Sequence, residues 1–220
     1  MLAAGFLLLL AILEYWVFSG SLDYFWGGFD LFWLGQRFHS AGDFLTALTH
    51  ADAEGWYRPL SNRLIYSLLY PMFGQDHAGY QSVVLVLFFA SSVTAFYFFK
   101  EMRLPPFPRY AATLCFALHS VNAYTTFDGS YFPELLYVTF YLCSFIFFLR
   151  DSSRLSLLFF VLSLLSKESA ITLPFVLLLY CAIYGGRSKR LTPYFVVLLA
   201  YAIGAFGVLR VMTGHYLFDF

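Results

Sequence analysis

A chain of 220 residues that is 60% hydrophobic and 12% charged, with 28 Phe and 17 Tyr, carries more apolar surface than a soluble domain of this length can cover. Its 13 basic and 13 acidic residues cancel, and no basic tail or acidic run is present, which excludes an electrostatic case for a nucleic-acid partner. Cys115, Cys143 and Cys181 lie far apart in apolar runs with no CxxC or Cys/His spacing, so they read as packing residues rather than disulfide or metal chemistry.

In chain order, residues 1–18 form the first candidate span, interrupted only by Glu14. Lacking a basic n-region and a small-residue cleavage pattern, it reads as a retained span rather than a signal peptide. Residues 19–79 form a long loop, and within it PLSNRLIYSLLYPMF (59–73) puts Leu60, Leu64, Ile65, Leu68, Leu69, Met72 and Phe73 on one helical face and Asn62, Arg63 and Ser67 on another. Bounded by Pro59 and Pro71 and too short to cross, this segment is expected to lie in the interface. Further spans are expected at 80–99, 109–124, 133–149, 152–166 (a short one), 169–185 and 192–212, since a crossing takes roughly 20 residues. The expected fold is therefore all-α: a polytopic transmembrane bundle of about seven spans, with an outer loop carrying an interfacial amphipathic helix.

Charge tests that topology independently. With the N-terminus cytoplasmic, Lys100, Arg103, Arg109, Arg150, Arg154, Arg187, Lys189 and Arg190 all fall in inner connections, as the positive-inside rule requires. If 59–73 crossed, every later loop would invert.

The acidic residues are distributed the other way. Asp23, Asp30, Asp43, Asp52 and Glu54 lie in the long outer loop, and the same face is expected to receive Glu14, His119, Asn122, Asp128, Glu134 and the pair Lys167-Glu168. Only Glu101 and Asp151 are acidic on the inner side, each beside basic residues able to pair with it. The sequence has no GxSxG, HExxH or Gly-rich phosphate loop. Carboxylates at a membrane surface can take a proton from a hydroxyl, and a lysine or arginine can hold a phosphate. Those two tasks together describe transfer of a group from a lipid phosphate.

Four segments, in order, carry a resemblance: SLDYFWGGFDLFWL, WYRPLSNRLIYSLLYPMFG, CFALHSVNAYTTFDGSYFPELLYVTFYL and LSLLSKESAITLPFVLLLY. Their order, spacing and membrane side resemble the GT-C superfamily of membrane glycosyltransferases, particularly the protein O-mannosyltransferase, aminoarabinose transferase and tetratricopeptide-repeat-associated groups. The match runs from about residue 14 to 184. It implies a multi-pass enzyme, expected in the bacterial inner membrane, that moves sugar from a polyprenyl-phosphate donor to an acceptor on the outer face.

By that resemblance the early acidic site is Asp30 or Asp23, the base toward the acceptor hydroxyl. Glu134, with Asp128 as the competing choice, orients the acceptor or assists the base. Lys167 contacts the donor phosphate with Arg58 as a second charge, His119 has at most a supporting role, and Glu168 is expected to partner Lys167 locally. No metal ligand set is identified, and metal dependence, sugar and acceptor stay open. Relatives of this kind are longer, so the chain is expected to be one module, 1–220, incomplete at its C-terminus. A transporter or a non-catalytic scaffold is the alternative class; no convincing repeat is visible, and the expected place of the ionisable residues at span ends argues for an interfacial site.

Overall fold

A computed structural model of the chain describes residues 2–20, 42, 57–74, 76–127, 132–185 and 188–208. Among them every regular element is helical: α1 Leu2–Phe18, α2 Ile65–Phe73, α3 His77–Glu101, α4 Pro106–Ala117, α5 Asn122–Phe127, α6 Phe132–Leu149, α7 Ser153–Ser166, α8 Leu173–Tyr184 and α9 Thr192–Ala202. By length and composition two of them, α3 with 25 residues and α6 with 18, can cross a membrane; α1, α7 and the segment Glu168–Tyr184 are apolar but shorter. By that measure the described residues hold two spans rather than the seven expected.

Most helices run antiparallel to the next, and ion pairs mark the two ends of the bundle. At one end Arg150 pairs with Glu101 at 2.6 Å and Arg190 pairs with Asp151, so both carboxylates have the basic partners expected of them. At the other end lie Glu134 and Lys167. The helices α3 and α6 run parallel, joined by Ser91 Oγ and Thr139 Oγ1 at 2.6 Å and, nearer the Arg150 end, by the edge-on rings of Phe98 and Phe145.

The α6–α7 hairpin owes its close approach to serines. Ser144 Oγ donates to the Ser156 carbonyl at 2.7 Å, Ser156 Oγ donates to the Ser144 carbonyl at 2.5 Å, and Ser163 Oγ donates to the Tyr137 carbonyl at 3.0 Å. Small hydroxyl residues let two backbones come near and satisfy their own polarity across the gap. A third helix joins this node, because Tyr194 of α9 bonds Ser156 Oγ at 2.5 Å. Around it pack Phe145, Phe148, Phe160, Leu164, Leu173 and Leu177; a second cluster of Phe18, Tyr66, Tyr80, Phe88 and Phe132 lies toward the Glu134 end.

The helices α3 and α6 stop with the same left-handed cap. Arg103 and Asp151 each have φ of 59°. Arg103 N–H bonds the Lys100 carbonyl at 3.0 Å and Leu104 N–H bonds Phe99 at 3.1 Å; Asp151 and Ser152 repeat the pattern on Phe148 and Phe147. This arrangement satisfies carbonyls that a helix end leaves open.

Three expectations change in detail. The 59–73 segment is a π-helical turn, Pro59–Leu64, followed by α2, and its buried side is Ser61, Tyr66 and Leu69, while Leu68 and Met72 are 69% and 71% exposed. Residues 109–124 are not one helix: α4 ends at Ala117, and Asn122 Nδ2 donates to the Phe116 carbonyl at 2.5 Å, closing a turn before α5 begins. The 169–185 segment opens as a 3-10 turn, Glu168–Thr172, because Pro174 suits the first turn of a helix and α8 starts there.

Candidate functional site

The serine register of the hairpin decides which side chains meet at its open end. With Ser144 opposite Ser156 and Tyr137 opposite Ser163, the first turn of α6 falls opposite the residues that end α7. There Lys167 Nζ donates to Glu134 Oε1 at 2.5 Å. The second oxygen, Glu134 Oε2, is buried without a hydrogen-bond partner among the described residues.

Glu168 turns the other way. Lys167 sits in extended backbone, φ −160° and ψ 140°, between α7 and the 3-10 turn, and neighbouring side chains on extended backbone point to opposite sides. Glu168 therefore reaches the segment entering the Pro59 turn, where Arg58 Nε donates to its Oε2 at 2.8 Å and Arg58 Nη2 to its Oε1 at 2.6 Å. One residue type accounts for this two-pronged grip, since only a guanidinium presents parallel N–H donors to a carboxylate. A few residues on, Ser61 Oγ donates to the Ser166 carbonyl at 2.6 Å, and both groups are buried. The end of α9 closes the same corner, with the Tyr201 ring 6.2 Å from that of Tyr57.

Burial pushes the Glu168 carboxyl up; the Arg58 hydrogen bonds and charge, the Glu168 backbone N–H and the Lys167 charge outweigh it, and the net position is below the ordinary carboxylate value. Glu168 is thus a fixed anion holding Arg58, not the local partner of Lys167 that the sequence suggested.

The arrangement brings Arg58, Glu134 and Lys167 to one end of the bundle, and Glu168 with them. His119 makes only a local turn among the described residues, its Nδ1 accepting from Val121 N–H at 3.2 Å. Asp23, Asp30 and Asp128 lie outside the described residues. Sequence reasoning missed the serines that set the register; Ser156 and Ser163, seven apart and so on one face of α7, were the available signal. It also placed Glu14 at the outer end of the first span, whereas the side chain is buried against the middle of α3 beside Ser92.

The four charges can do two things. Lys167, bonded to Glu134 through one oxygen, can exchange that carboxylate for another anion; Arg58, gripping both oxygens of Glu168, is a brace. Among the described residues no group of three or more His, Cys, Asp or Glu is placed to hold a metal ion. No family model, curated protein or solved structure matches the chain.

Proposed function

We propose that the chain is a polytopic membrane protein of about seven spans and a glycosyltransferase of GT-C type, taking sugar from a polyprenyl-phosphate donor. The observation that carries this reading is the Lys167–Glu134 pair, a cation from the turn after α7 and a carboxylate from the first turn of α6 at one end of the bundle, braced by Arg58–Glu168. The donor phosphate takes Lys167 from Glu134, and the released carboxylate turns to the acceptor hydroxyl. That hydroxyl loses its proton to a carboxylate, Asp23 or Asp30 assisted by Glu134. Its oxygen bonds the anomeric carbon, and the bond from that carbon to the phosphate oxygen breaks, releasing polyprenyl phosphate. Arg58 acts here through Glu168 by fixing the turn that presents Lys167. The site faces the outer side, with the basic Arg150 end inside.

Binding of polyprenyl phosphate to the protein in lipid nanodiscs tests the central step. Lys167→Ala is expected to weaken it by about 10- to 100-fold, the worth of one charge-assisted contact. Unchanged affinity removes Lys167 from the phosphate and takes the reading with it. A second reading, a transporter, is favoured by one observation: Glu14 is a buried acid away from the span ends.

A further inference from the structure

Helix α1 packs on α3 in antiparallel register, with Leu10, Glu14 and Phe18 as its buried stripe. The Phe18 ring meets Phe88 edge-on at 5.3 Å, and about two turns along α3 toward the Arg150 end Phe6 meets Phe96 at 5.6 Å and Tyr110 at 4.6 Å. Between those aromatic layers Glu14 faces Ser92. Glu14 is 3% exposed and Ser92 is 0% exposed. Neither carboxyl oxygen of Glu14 nor the Ser92 hydroxyl has a hydrogen-bond partner, and no cation pairs with Glu14 among the described residues. Ser92 lies three residues past the middle of α3, about 4.5 Å along it at 1.5 Å per residue, so the pair sits near mid-depth of the longest helix.

An unpaired charge at that depth costs several kcal/mol even on insertion scales, about 2.5–3.5 for an aspartate. Something must satisfy these atoms. A sodium or calcium ion needs six or so oxygens, and the layers above and below are phenyl rings. The proton is the one cation that needs no more than the two groups present. The geometry points to Glu14 as an intramembrane proton-binding site, its carboxyl held as the neutral acid beside Ser92 between two aromatic layers. The proton comes from bulk water and no other bond is made or broken.

The charged and titratable groups on the neighbouring elements do not replace it. On α3, Tyr97 packs edge-on against Phe96 at 5.6 Å, Lys100 and Glu101 lie at one end, and His77 and Tyr80 lie at the other. On α4, Tyr110 belongs to that aromatic layer, and Arg109 packs over the Phe96 ring at 5.5 Å without pairing with Glu14 among the described residues; α5 carries no charged residue. The site stands whether the protein is a transferase or a transporter.

Infrared difference spectroscopy of the full chain in lipid nanodiscs at neutral pH reads the acid directly. Subtracting Glu14→Gln from wild type is expected to leave the carbonyl stretch of a protonated carboxylic acid, above the amide band. Ser92→Ala, which keeps Glu14, is expected to retain that stretch at a shifted frequency. If the difference shows only carboxylate stretches, Glu14 is ionised and the proposal falls. It falls equally if the acid stretch appears only after Arg109→Gln, which would make Arg109 the counter-ion in the wild type. Should Glu14→Gln not fold, the shift between wild type and Ser92→Ala decides, and a spectrum without any such stretch in either protein overturns the site.

Discussion

Arg58 and Glu168 are separated by 110 positions in the chain and joined by two hydrogen bonds. The folded carboxyl sits below its ordinary value of 4.5. A group depressed in this way stabilises the fold fully above that value and stops doing so as pH falls through the lower, folded one. At neutral pH Arg58→Gln is expected to destabilise the protein by about 1–3 kcal/mol, because it leaves a part-buried carboxylate without its main partner. The wild-type and variant melting temperatures should converge in acid, below the carboxylate range; identical melting at neutral pH would remove the brace. At this scale the sequence was half legible. Lys167, Arg58 and Glu134 were picked out by type and position, but adjacency in the chain suggested Lys167-Glu168 as partners. Extended backbone at Lys167 sends the two side chains apart, and only the helix register shows where each arrives.

Helix α3 ends at Arg103, a residue that does not favour the left-handed conformation it adopts, whereas the Asp151 that ends α6 tolerates it better. Left-handed backbone costs a residue with a Cβ about 1–2 kcal/mol, and glycine avoids this at the expense of greater freedom in the unfolded chain. Arg103→Gly is therefore expected to raise stability by about 0.5–1 kcal/mol, read as a shift in thermal midpoint; Asp151→Gly is a poorer test because Asp151 also pairs with Arg190. A loss of stability would mean that the Arg103 side chain contributes more than its backbone costs. Helix existence was legible from apolar runs, while breaks and faces were not. The interruption after Ala117 depends on the Asn122 amide capping a carbonyl, and no hydropathy pattern records that. Which side of α2 packs on the bundle was not legible either. Ser61 is inside because a buried carbonyl needs its hydroxyl, whereas Leu68 and Met72 turn outward.

For the molecule as a whole, chain direction alternates, and the Arg150 and Glu134 pairs stand at opposite ends of the bundle. Single cysteines at Asp76, before α3, and at Pro105, after it, are expected to react with an impermeant thiol reagent from opposite faces, position 76 from outside. Labelling of both from one face would reject α3 as a crossing helix, and labelling of position 105 from outside would invert the topology. The all-helical class was legible in the long apolar runs. The depth of Glu14 was not: in sequence it stands near the end of its own segment, and its level is set by the neighbour it packs on.

The serine contacts of the α6–α7 hairpin bear on how the Lys167–Glu134 pair opens. Sliding or rotating either helix would break Ser144–Ser156, Ser163–Tyr137 and the Tyr194 bond together. The hairpin therefore behaves as a rigid rail, and separation of the pair is left to the flexible lysine stem and the short turn it stands on. Opening is then a rotamer event, on the picosecond-to-nanosecond scale typical of side chains, rather than a slow rearrangement of helices. A latch of that kind responds to whichever anion arrives and needs no signal relayed through the bundle.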